Sequence, residues 1–310
     1  MALWQKYYQP RTVEAALAFL AQHEGRARVV SGGTDLLLEM QQGHKPHVEA
    51  LVDVTAIPDM MRIREQNGWI EVGAAATHTQ IVKSGLLTQQ ATCLVESCGV
   101  IGGPQVRNVA TLGGNVAHAL PAADGTTALV AVDAKAEVAN ASGRAWRPIL
   151  SLFKGPGKSA VDQSRELITR FRFLTAQPSE GTAFKRIMRP QGVALPILAC
   201  AVWVEIGDWG LGIGDSSPVI DGARICIGPV RPVPCRAEQA EAALKGRTLA
   251  EALDDCVAAA QREFSPRTSK HRATAEYRME MIEVLLRRAL PLAARRAVTG
   301  DTIPEGIGLQ

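Results

Sequence analysis

Two short runs built around adjacent glycines restrict the fold of this chain more than any other feature of its sequence. The runs read Ser31-Gly32-Gly33-Thr34-Asp35 and Thr111-Leu112-Gly113-Gly114-Asn115. Adjacent glycines allow a backbone to turn through positive φ and leave no Cβ that would keep a ligand away. Successive N–H groups in such a turn can point together at an anion such as phosphate. Two nests of this size predict one ligand that contains a diphosphate.

The residues around the two runs strengthen this prediction, although either glycine pair alone would indicate only a tight turn. An apolar pair, Val29 and Val30, precedes the first run, and three leucines that begin at Leu36 follow it. A strand, a glycine turn and a helix start would bring helix N–H groups to the turn, where they favour negative charge. Asp35 and Asp124 lie close to the runs, and carboxylates suit ribose or ribityl hydroxyl groups. An adenine–flavin dinucleotide requires this set of groups.

The composition excludes several classes of protein. The chain has 310 residues, of which 46% are hydrophobic and 21% charged, which is typical of a globular protein and is long enough for two domains. A net charge of +3 without a stripe of Lys and Arg gives no support for nucleic-acid binding. No apolar segment approaches the roughly 20 residues that cross a bilayer, and residues 1–12 lack a hydrophobic signal core. We therefore expect no membrane span and a cytoplasmic location.

Six cysteines are present, and none forms a Cys-x-x-Cys pair. A disulfide framework is not expected in a chain of this length without a secretion signal. The favoured interpretation is buried thiols, with neither a metal site nor an iron–sulfur cluster on this chain.

The periodicity of the first half predicts a two-part α+β domain over residues 1–176. A helix over residues 10–23, a short strand, a helix that ends near residue 40 and a strand over residues 50–54 alternate, which is typical of a parallel α/β unit covering residues 1–56. The pair Asn67-Gly68 then predicts a hairpin. Helices from Thr77 and over residues 88–98, with strands over residues 134–139 and 167–173, complete a mostly antiparallel α+β unit over residues 57–176.

The second half predicts a separate C-terminal α+β domain over residues 177–298, after a linker at residues 177–181. Its elements are three strands at residues 183–188, 197–206 and 223–227 and three helices at residues 236–245, 248–264 and 271–288. The tail at residues 299–310 carries glycine and proline without periodicity, so we expect it to be loose.

Three other patterns resemble known sites but have a simpler interpretation. Residues 155–159 read GPGKS, like the end of a P-loop, yet Leu152 stands where that motif begins with glycine, which favours a surface turn. The three glycines at Gly210, Gly212 and Gly214 precede no capped helix, so we expect a loop between strands. The two histidines within residues 44–47 have no carboxylate cluster beside them, and no metal site is predicted there.

Further segments accompany the glycine runs in a fixed order: PQVRN at residues 104–108, Pro121 and Asp124, AFKR at residues 183–186 and AEYR at residues 275–278. As a set they resemble the FAD-binding medium subunit of the molybdenum hydroxylases, a family that includes the xanthine, aldehyde and carbon monoxide dehydrogenases. The likeness extends over nearly the whole chain. It implies a two-part FAD-binding domain of the vanillyl-alcohol-oxidase/PCMH type, followed by the C-terminal α+β domain.

The resemblance also implies a set of site residues. The cofactor-binding residues are Val30, Ser31, Gly32, Gly33, Thr34, Asp35, Leu36, Thr111, Leu112, Gly113, Gly114, Asn115, Asp124, Leu167 and Lys185. Asp124 corresponds to an acidic position near the adenosine ribose and the diphosphate, and Leu167 or Ile168 to an apolar position near the ring or the adenine. Lys185 corresponds to a lysine near the flavin ring, where its positive charge would favour the anionic reduced flavin.

Finally, the resemblance implies partners and a role. A large subunit would carry a molybdopterin-type molybdenum cofactor that oxidises the substrate, and a small subunit would carry two two-iron clusters that pass electrons to the FAD. The expected assembly is a dimer of heterotrimers. The region at residues 189–193 lacks the aromatic residue that covers the flavin in some members. Two alternatives stay open: a self-contained FAD-dependent oxidase acting on an organic substrate, and a scaffold that has lost FAD. The organic substrate and the electron acceptor are not identified.

Overall fold

The polypeptide begins with a small parallel sheet, as predicted. The computed structural model describes residues 2–189, 195–207, 218–270 and 272–306. The first unit consists of β1 (Lys6–Tyr8), α1 (Val13–Gln22), β2 (Ala27–Val30), α2 (Leu36–Gln41) and β3 (Ala50–Asp53). Its strands are all parallel in the order β1-β3-β2. The Thr12 hydroxyl caps α1 by accepting the Ala15 N–H at 3.1 Å. The sequence did not predict β1, which has only three residues.

The second unit is a five-stranded antiparallel sheet with six helices. Its strands are β4 (Ile63–Gln66), β5 (Trp69–Gly73), β6 (Lys135–Asn140), β7 (Gly143–Pro148) and β10 (Leu167–Leu174), in the order β4-β5-β10-β6-β7, and β8 (Phe153–Gly155) and β9 (Lys158–Ser159) form a separate hairpin. Its helices are α3 (His78–Val82), α4 (Gly85–Gln90), α5 (Thr92–Gly99), α6 (Pro104–Arg107), α7 (Leu112–His118) and α8 (Asp124–Ala131). Asn67 and Gly68 have φ of +52° and +75° between β4 and β5, so the predicted hairpin is confirmed.

The predicted single helix over residues 88–98 is wrong, because the chain breaks into α4 and α5 at Ala91. Ala91 has φ of −157° and ψ of 64°, far from helical values. The new helix start is stabilised from a distance, since the Cys93 N–H donates to the Thr182 hydroxyl at 3.1 Å. Thr182 lies 89 residues further along the chain, so no local pattern could reveal this cap.

The described part of the C-terminal unit, which omits residues 190–194, 208–217 and 271, contains one sheet and three helices. Its elements are β11 (Glu180–Met188), β12 (Pro196–Ile206), β13 (Val219–Gly228), α9 (Glu238–Leu244), β14 (Arg247–Thr248), α10 (Leu249–Glu263) and α11 (Ala275–Thr299). The sheet is antiparallel in the order β11-β12-β13-β14, so the predicted three strands gain a short fourth at the edge. α11 continues well past the predicted end at residue 288, through Pro291, until Gly300 closes it with φ of +69°.

One face of the C-terminal sheet packs against the second unit, and the opposite face packs against α11. Phe184, Ala199 and Ala201 belong to the core of the first two units, whereas Ala183, Leu198 and several residues of α11 form a second core. Alternate residues of β11 therefore point into different cores. This alternation decides which side chains of β11 can reach the site described below.

The buried carboxylate of Glu96 links the second unit to the C-terminal unit and to the residues that follow α11. Glu96 on α5 accepts from the Arg296 guanidinium at 2.7 Å, from the Phe184 N–H at 2.7 Å and from the Glu305 N–H at 2.8 Å. The Glu96 and Arg296 side chains are only 1% and 2% exposed. The tail is thus held by hydrogen bonds as far as Glu305, which differs from the expected loose tail. Among the described residues, no helix has the length and apolar character needed to cross a bilayer.

Candidate cofactor-binding site

A cavity of about 700 Å³ runs between the two glycine runs and reaches the C-terminal unit. Most of the predicted site residues line it: Val30, Ser31, Gly32, Gly33, Thr34, Asp35, Leu36, Thr111, Gly113, Gly114, Asn115, Asp124 and Leu167. Ile168, the other apolar candidate, also lines it. Two predicted residues do not: Leu112, which is fully buried in the core, and Lys185. The volume is in the range of small-molecule and cofactor sites.

The first glycine run meets two requirements of an anion nest: positive φ at Gly33 and free backbone N–H groups. Gly33 has φ of +70°, a backbone conformation that residues other than glycine rarely adopt. Within the described chain, the backbone N–H groups of residues 32–36 donate to no acceptor. Buried or partly buried N–H groups are normally satisfied, so a run of five free donors on a cavity wall fits an anionic ligand.

The loop that carries this nest is pressed against the second run. A Cβ on Gly32 would lie 2.2 Å from the Val109 carbonyl oxygen and 2.7 Å from the Ala110 Cα. The Thr111 hydroxyl donates to the Ser31 hydroxyl at 3.0 Å. Close backbone approach, rather than positive φ, therefore requires glycine at residue 32.

The second glycine pair does not form a nest, and this part of the prediction is wrong. Gly113 and Gly114 lie inside α7, where neither has positive φ. The Gly113 N–H donates to the Ala74 carbonyl at 2.8 Å, and the Gly114 N–H donates to the Thr111 hydroxyl at 3.1 Å. Gly113 is instead needed because a Cβ would lie 2.6 Å from the Ala74 oxygen. Of the two runs, only the first therefore keeps free N–H donors, and Gly113 allows α7 to approach the Ala74 backbone.

A buried ion pair lines the end of the cavity at the C-terminal unit. The Arg186 guanidinium donates to Asp124 Oδ2 at 2.6 Å, and the two side chains are 7% and 4% exposed. Burial raises the pKa of the Asp124 carboxyl to about 6, although the positive charge of Arg186 opposes this shift. Asp124 Oδ1 is buried and has no hydrogen-bond partner in the described chain. It is an acceptor available to a ligand hydroxyl or N–H group.

Arg186, which the sequence did not predict, lines the cavity, and Lys185 does not. The Lys185 ammonium binds Glu305 Oε2 at 2.7 Å on the α11 side of the sheet, away from the cavity. Arg186 lies one residue later on β11 and so faces the other side, together with Phe184. The available signal was the spacing of two residues between Phe184 and Arg186, because residues two apart on a strand share a face.

Other titratable groups contact the cavity. His118 lies between two carboxylates, with Nε2 3.2 Å from Glu39 Oε1 and Nδ1 3.6 Å from Asp35 Oδ2, and it links α7 to α2. His78 lies beside the Cys98 thiol, with Nδ1 3.3 Å from Sγ. Burial lowers the pKa of His78 to about 4 and raises that of Cys98 well above its usual value. His78 is therefore neutral near pH 7, and Cys98 remains a thiol.

The run GPGKS forms a turn, as the sequence predicted. Residues 155–159 form the tight hairpin between β8 and β9, with Gly157 at φ of +66°, and Gly157 and Ser159 also line the cavity. Gly210, Gly212 and Gly214 lie outside the described residues. Within the described ranges, no group of three or more His, Cys, Asp or Glu side chains could hold a metal ion.

The cavity fits a dinucleotide such as FAD. The nest at residues 32–36 would bind the diphosphate. Other parts of the wall come from Gly25, from Asp162, Gln163, Ser164 and Glu166, and from Asp124, Arg186 and Leu195. The free carboxylate oxygen of Asp124 and the free N–H groups supply the acceptor and donors that such a ligand requires.

Comparisons with known proteins agree with this geometry. Residues 3–173 match the family described as "FAD binding domain in molybdopterin dehydrogenase", and residues 182–293 match "CO dehydrogenase flavoprotein C-terminal domain". The xanthine dehydrogenase FAD-binding subunit of Escherichia coli is 29% identical over 94% of this chain and 96% of that protein. The carbon monoxide dehydrogenase medium chain of Afipia carboxidovorans is 29% identical over 94% and 97%.

A solved structure gives the same result in three dimensions. A chain of carbon monoxide dehydrogenase from Hydrogenophaga pseudoflava, in a form that lacks the Mo-pyranopterin moiety of the molybdenum cofactor, matches with a TM-score of 0.85 and 28% identity. The match covers 94% of this chain and 98% of that chain. The predicted two-part FAD-binding domain with a C-terminal domain is thereby confirmed as the fold.

Proposed function

Because this chain belongs to the family of FAD-binding domains of molybdopterin dehydrogenases, we propose that it carries electrons on FAD between iron–sulfur clusters of a partner subunit and an external acceptor. It is an oxidoreductase subunit of a molybdenum-containing hydroxylase or dehydrogenase. The observation that carries the proposal is the run of five free N–H groups at residues 32–36 on the wall of a cofactor-sized cavity.

The described residues bind and orient the cofactor. The nest at residues 32–36 would hold the diphosphate, and Asp124 Oδ1 would accept a hydrogen bond from a hydroxyl or N–H group of the ligand. Arg186, which binds Asp124 at 2.6 Å, would take the role expected of Lys185 and present its positive charge to the cofactor. Apolar Leu167 and Ile168 on β10 would exclude water. Bound FAD supplies the redox chemistry, since a flavin can exchange electrons singly or in pairs.

The partners are part of the proposal. We expect a small subunit with two two-iron clusters and a large subunit with a molybdopterin-type cofactor, assembled as a dimer of heterotrimers. The support is that the relatives are named as a medium chain and as an FAD-binding subunit. These names favour the multi-subunit function over a self-contained oxidase, which no observation supports. The intact nest argues against a scaffold that has lost FAD.

Domain boundaries and location belong to the same proposal. We assign residues 1–176 to FAD binding, residues 177–298 to the C-terminal domain and residues 299–310 to the tail, which agrees with family matches at residues 3–173 and 182–293. A cytoplasmic location accords with six free cysteines, five of them buried, because disulfides are rare in reducing compartments. Cell fractionation tests the location.

The direct test is purification of the chain with its natural companions. We expect one FAD per chain, detected by its absorption spectrum, together with molybdenum and iron in the complex. A colourless complex without flavin would contradict the proposal, and a yellow chain that oxidises an organic compound alone would favour the self-contained oxidase.

A matched pair of variants tests the role of Arg186. Arg186→Met and Lys185→Met remove the same charge one residue apart, on opposite faces of β11. We expect Arg186→Met to lower the flavin reduction potential by on the order of 30 mV, the equivalent of a tenfold change for a two-electron couple. Arg186→Lys should restore it, and Lys185→Met should leave it within error. Equal shifts in the two Met variants would show that the face of the strand is irrelevant.

A further inference from the structure

His118 joins the helix that follows the second glycine run to the nest in the first run. It is the last residue of α7, and Ala119 ends that helix with φ of +55°. The His118 Nε2 lies 3.2 Å from Glu39 Oε1, and its Nδ1 lies 3.6 Å from Asp35 Oδ2. All three residues line the cofactor cavity. The helix that starts at the second run therefore ends in a contact with the nest, of which Asp35 is part.

Asp35 does not cap the helix that it precedes. It is the N-cap residue of α2, a position where an Asp carboxylate commonly accepts from N–H groups of the first turn. The Asp35 side chain makes no such hydrogen bond. Its carboxylate contacts His118 instead, and the N–H groups of residues 32–36 are without an acceptor in the described chain. The nest keeps its donors while an acceptor within its own loop is held elsewhere.

The carboxylates of Asp35 and Glu39 also repel one another. The Glu39 N–H donates to the Asp35 carbonyl at 2.9 Å, so the two residues are one helical turn apart, where like charges are destabilising. Of the side chains that the structure describes, His118 is the only basic one within 4.0 Å of either carboxylate. A histidine ring with a proton on both nitrogens can donate to two acceptors at once. Removing His118 would therefore leave both carboxylates without a basic partner, beside the proposed position of the diphosphate.

The exposure of these side chains separates this arrangement from a purely structural ion pair. The Asp35 side chain is 56% exposed, and those of Glu39 and His118 are 27% and 20% exposed. Ion pairs at exposed positions contribute little to the free energy of unfolding. The contacts of His118 should therefore matter less for the stability of the chain than for the charge and the donors that a ligand meets at the nest.

We propose that His118 is a positioning residue for the cofactor: it holds the Asp35 carboxylate away from the N–H groups of the nest and so leaves them free for a diphosphate. The inference rests on the proposed function, in which FAD occupies the cavity. Without His118, the exposed Asp35 side chain would accept from the nest N–H groups or repel the phosphates. Both effects weaken cofactor binding, and both disappear when the Asp35 carboxylate is also removed.

The test is a double-mutant cycle on the full chain, stripped of its cofactor and titrated with FAD while flavin fluorescence is followed. His118→Gln should bind FAD about tenfold more weakly, the equivalent of losing one hydrogen bond to a charged group. The double variant Asp35→Ala/His118→Gln should bind FAD more tightly than His118→Gln alone. The matched control is His44→Gln, which changes an exposed histidine after α2 and should match the wild type. Urea unfolding without FAD should give the same midpoint for His118→Gln and the wild type.

The possible outcomes separate the interpretations. Weaker FAD binding by His118→Gln that Asp35→Ala reverses supports the positioning role. Equal affinities of His118→Gln and the wild type overturn it, and so does a further loss in the double variant, which would show that Asp35 itself binds the cofactor. A lowered urea midpoint for His118→Gln, without recovery of FAD binding in the double variant, overturns it in favour of a structural contact. A wild-type chain that takes up no FAD would refute the proposed function together with this inference, whereas the other outcomes leave the proposed function intact.

Discussion

Replacing Gly32 with alanine should expel the cofactor, whereas the same replacement at Gly85 should have no effect. A Cβ on Gly32 would lie 2.2 Å from the Val109 oxygen and 2.7 Å from the Ala110 Cα. Both contacts are with backbone, so the loop itself must move, at a cost of about 1–3 kcal/mol. Gly85, at the start of α4, has open space around its Cβ position and should tolerate alanine or gain up to about 1 kcal/mol of stability.

The effect on binding follows from the nest. If the displaced loop loses two of its N–H···phosphate hydrogen bonds, at about 1.5 kcal/mol each, affinity falls by about 3 kcal/mol, or roughly 100-fold. The assay is the ratio of FAD to protein after gel filtration, followed by the dissociation constant from quenching of flavin fluorescence. Thermal unfolding without FAD shows that the Gly32 variant still folds. Full retention of FAD by Gly32→Ala, or equal loss in Gly85→Ala, would refute the reasoning.

Two further predictions concern buried carboxylates. Without FAD, the stability of the wild type relative to Asp124→Asn should fall as the pH rises from about 4 to 7. Burial raises the pKa of Asp124 from 3.8 to about 6, so its contribution is present below the unfolded pKa and is lost as the pH passes the folded one. Urea unfolding of both proteins at several pH values measures the difference in unfolding free energy. A difference that does not change with pH would contradict the prediction. Glu96→Ala should cost about 3–5 kcal/mol, because it leaves Arg296 charged, buried and unpaired. Glu283→Ala, which breaks an exposed pair with Arg287, should cost less than about 1 kcal/mol in the same urea experiment, and similar losses would exclude a special role for the buried pair.

The parts of the fold that local patterns encode were predictable from the sequence. Asn67 and Gly68 fix a hairpin, Thr12 and Thr77 cap helices through their own neighbours, and Gly33 adopts positive φ where a turn was expected. In each case the physical cause lies within a few residues, so the pattern is sufficient. The first glycine run was identified as a ligand loop for the same reason.

The errors have a common origin in distant contacts. Gly113 and Gly114 resemble the first glycine pair in sequence but have other roles. A side chain at Gly113 would collide with the Ala74 carbonyl, and the Gly114 N–H donates to the Thr111 hydroxyl that caps α7. The break at Ala91 depends on Thr182, which caps α5 from another sheet. No local sequence rule distinguishes a glycine needed for positive φ from one needed for close packing against a neighbouring backbone.

The different positions of Lys185 and Arg186 have a cause of another kind. Motif matching gave the position to within one residue, but a shift of one residue on a strand moves a side chain to the opposite face. The burial of Phe184 in the core of the first two units places Arg186 on the cavity side. Strand alternation alone shows that Lys185 and Arg186 face opposite sides, whereas the structure is needed to show which side lines the cavity.

The walls of the cavity come from both halves of the chain, so cofactor occupancy and domain association are thermodynamically coupled. Asp124 belongs to the first half and Arg186 to the second, and both line the same space. A ligand that contacts both adds its binding free energy to the interface. A chain that has lost its flavin should therefore open more readily at the junction between residues 174 and 180, and limited proteolysis there becomes a measure of cofactor loading.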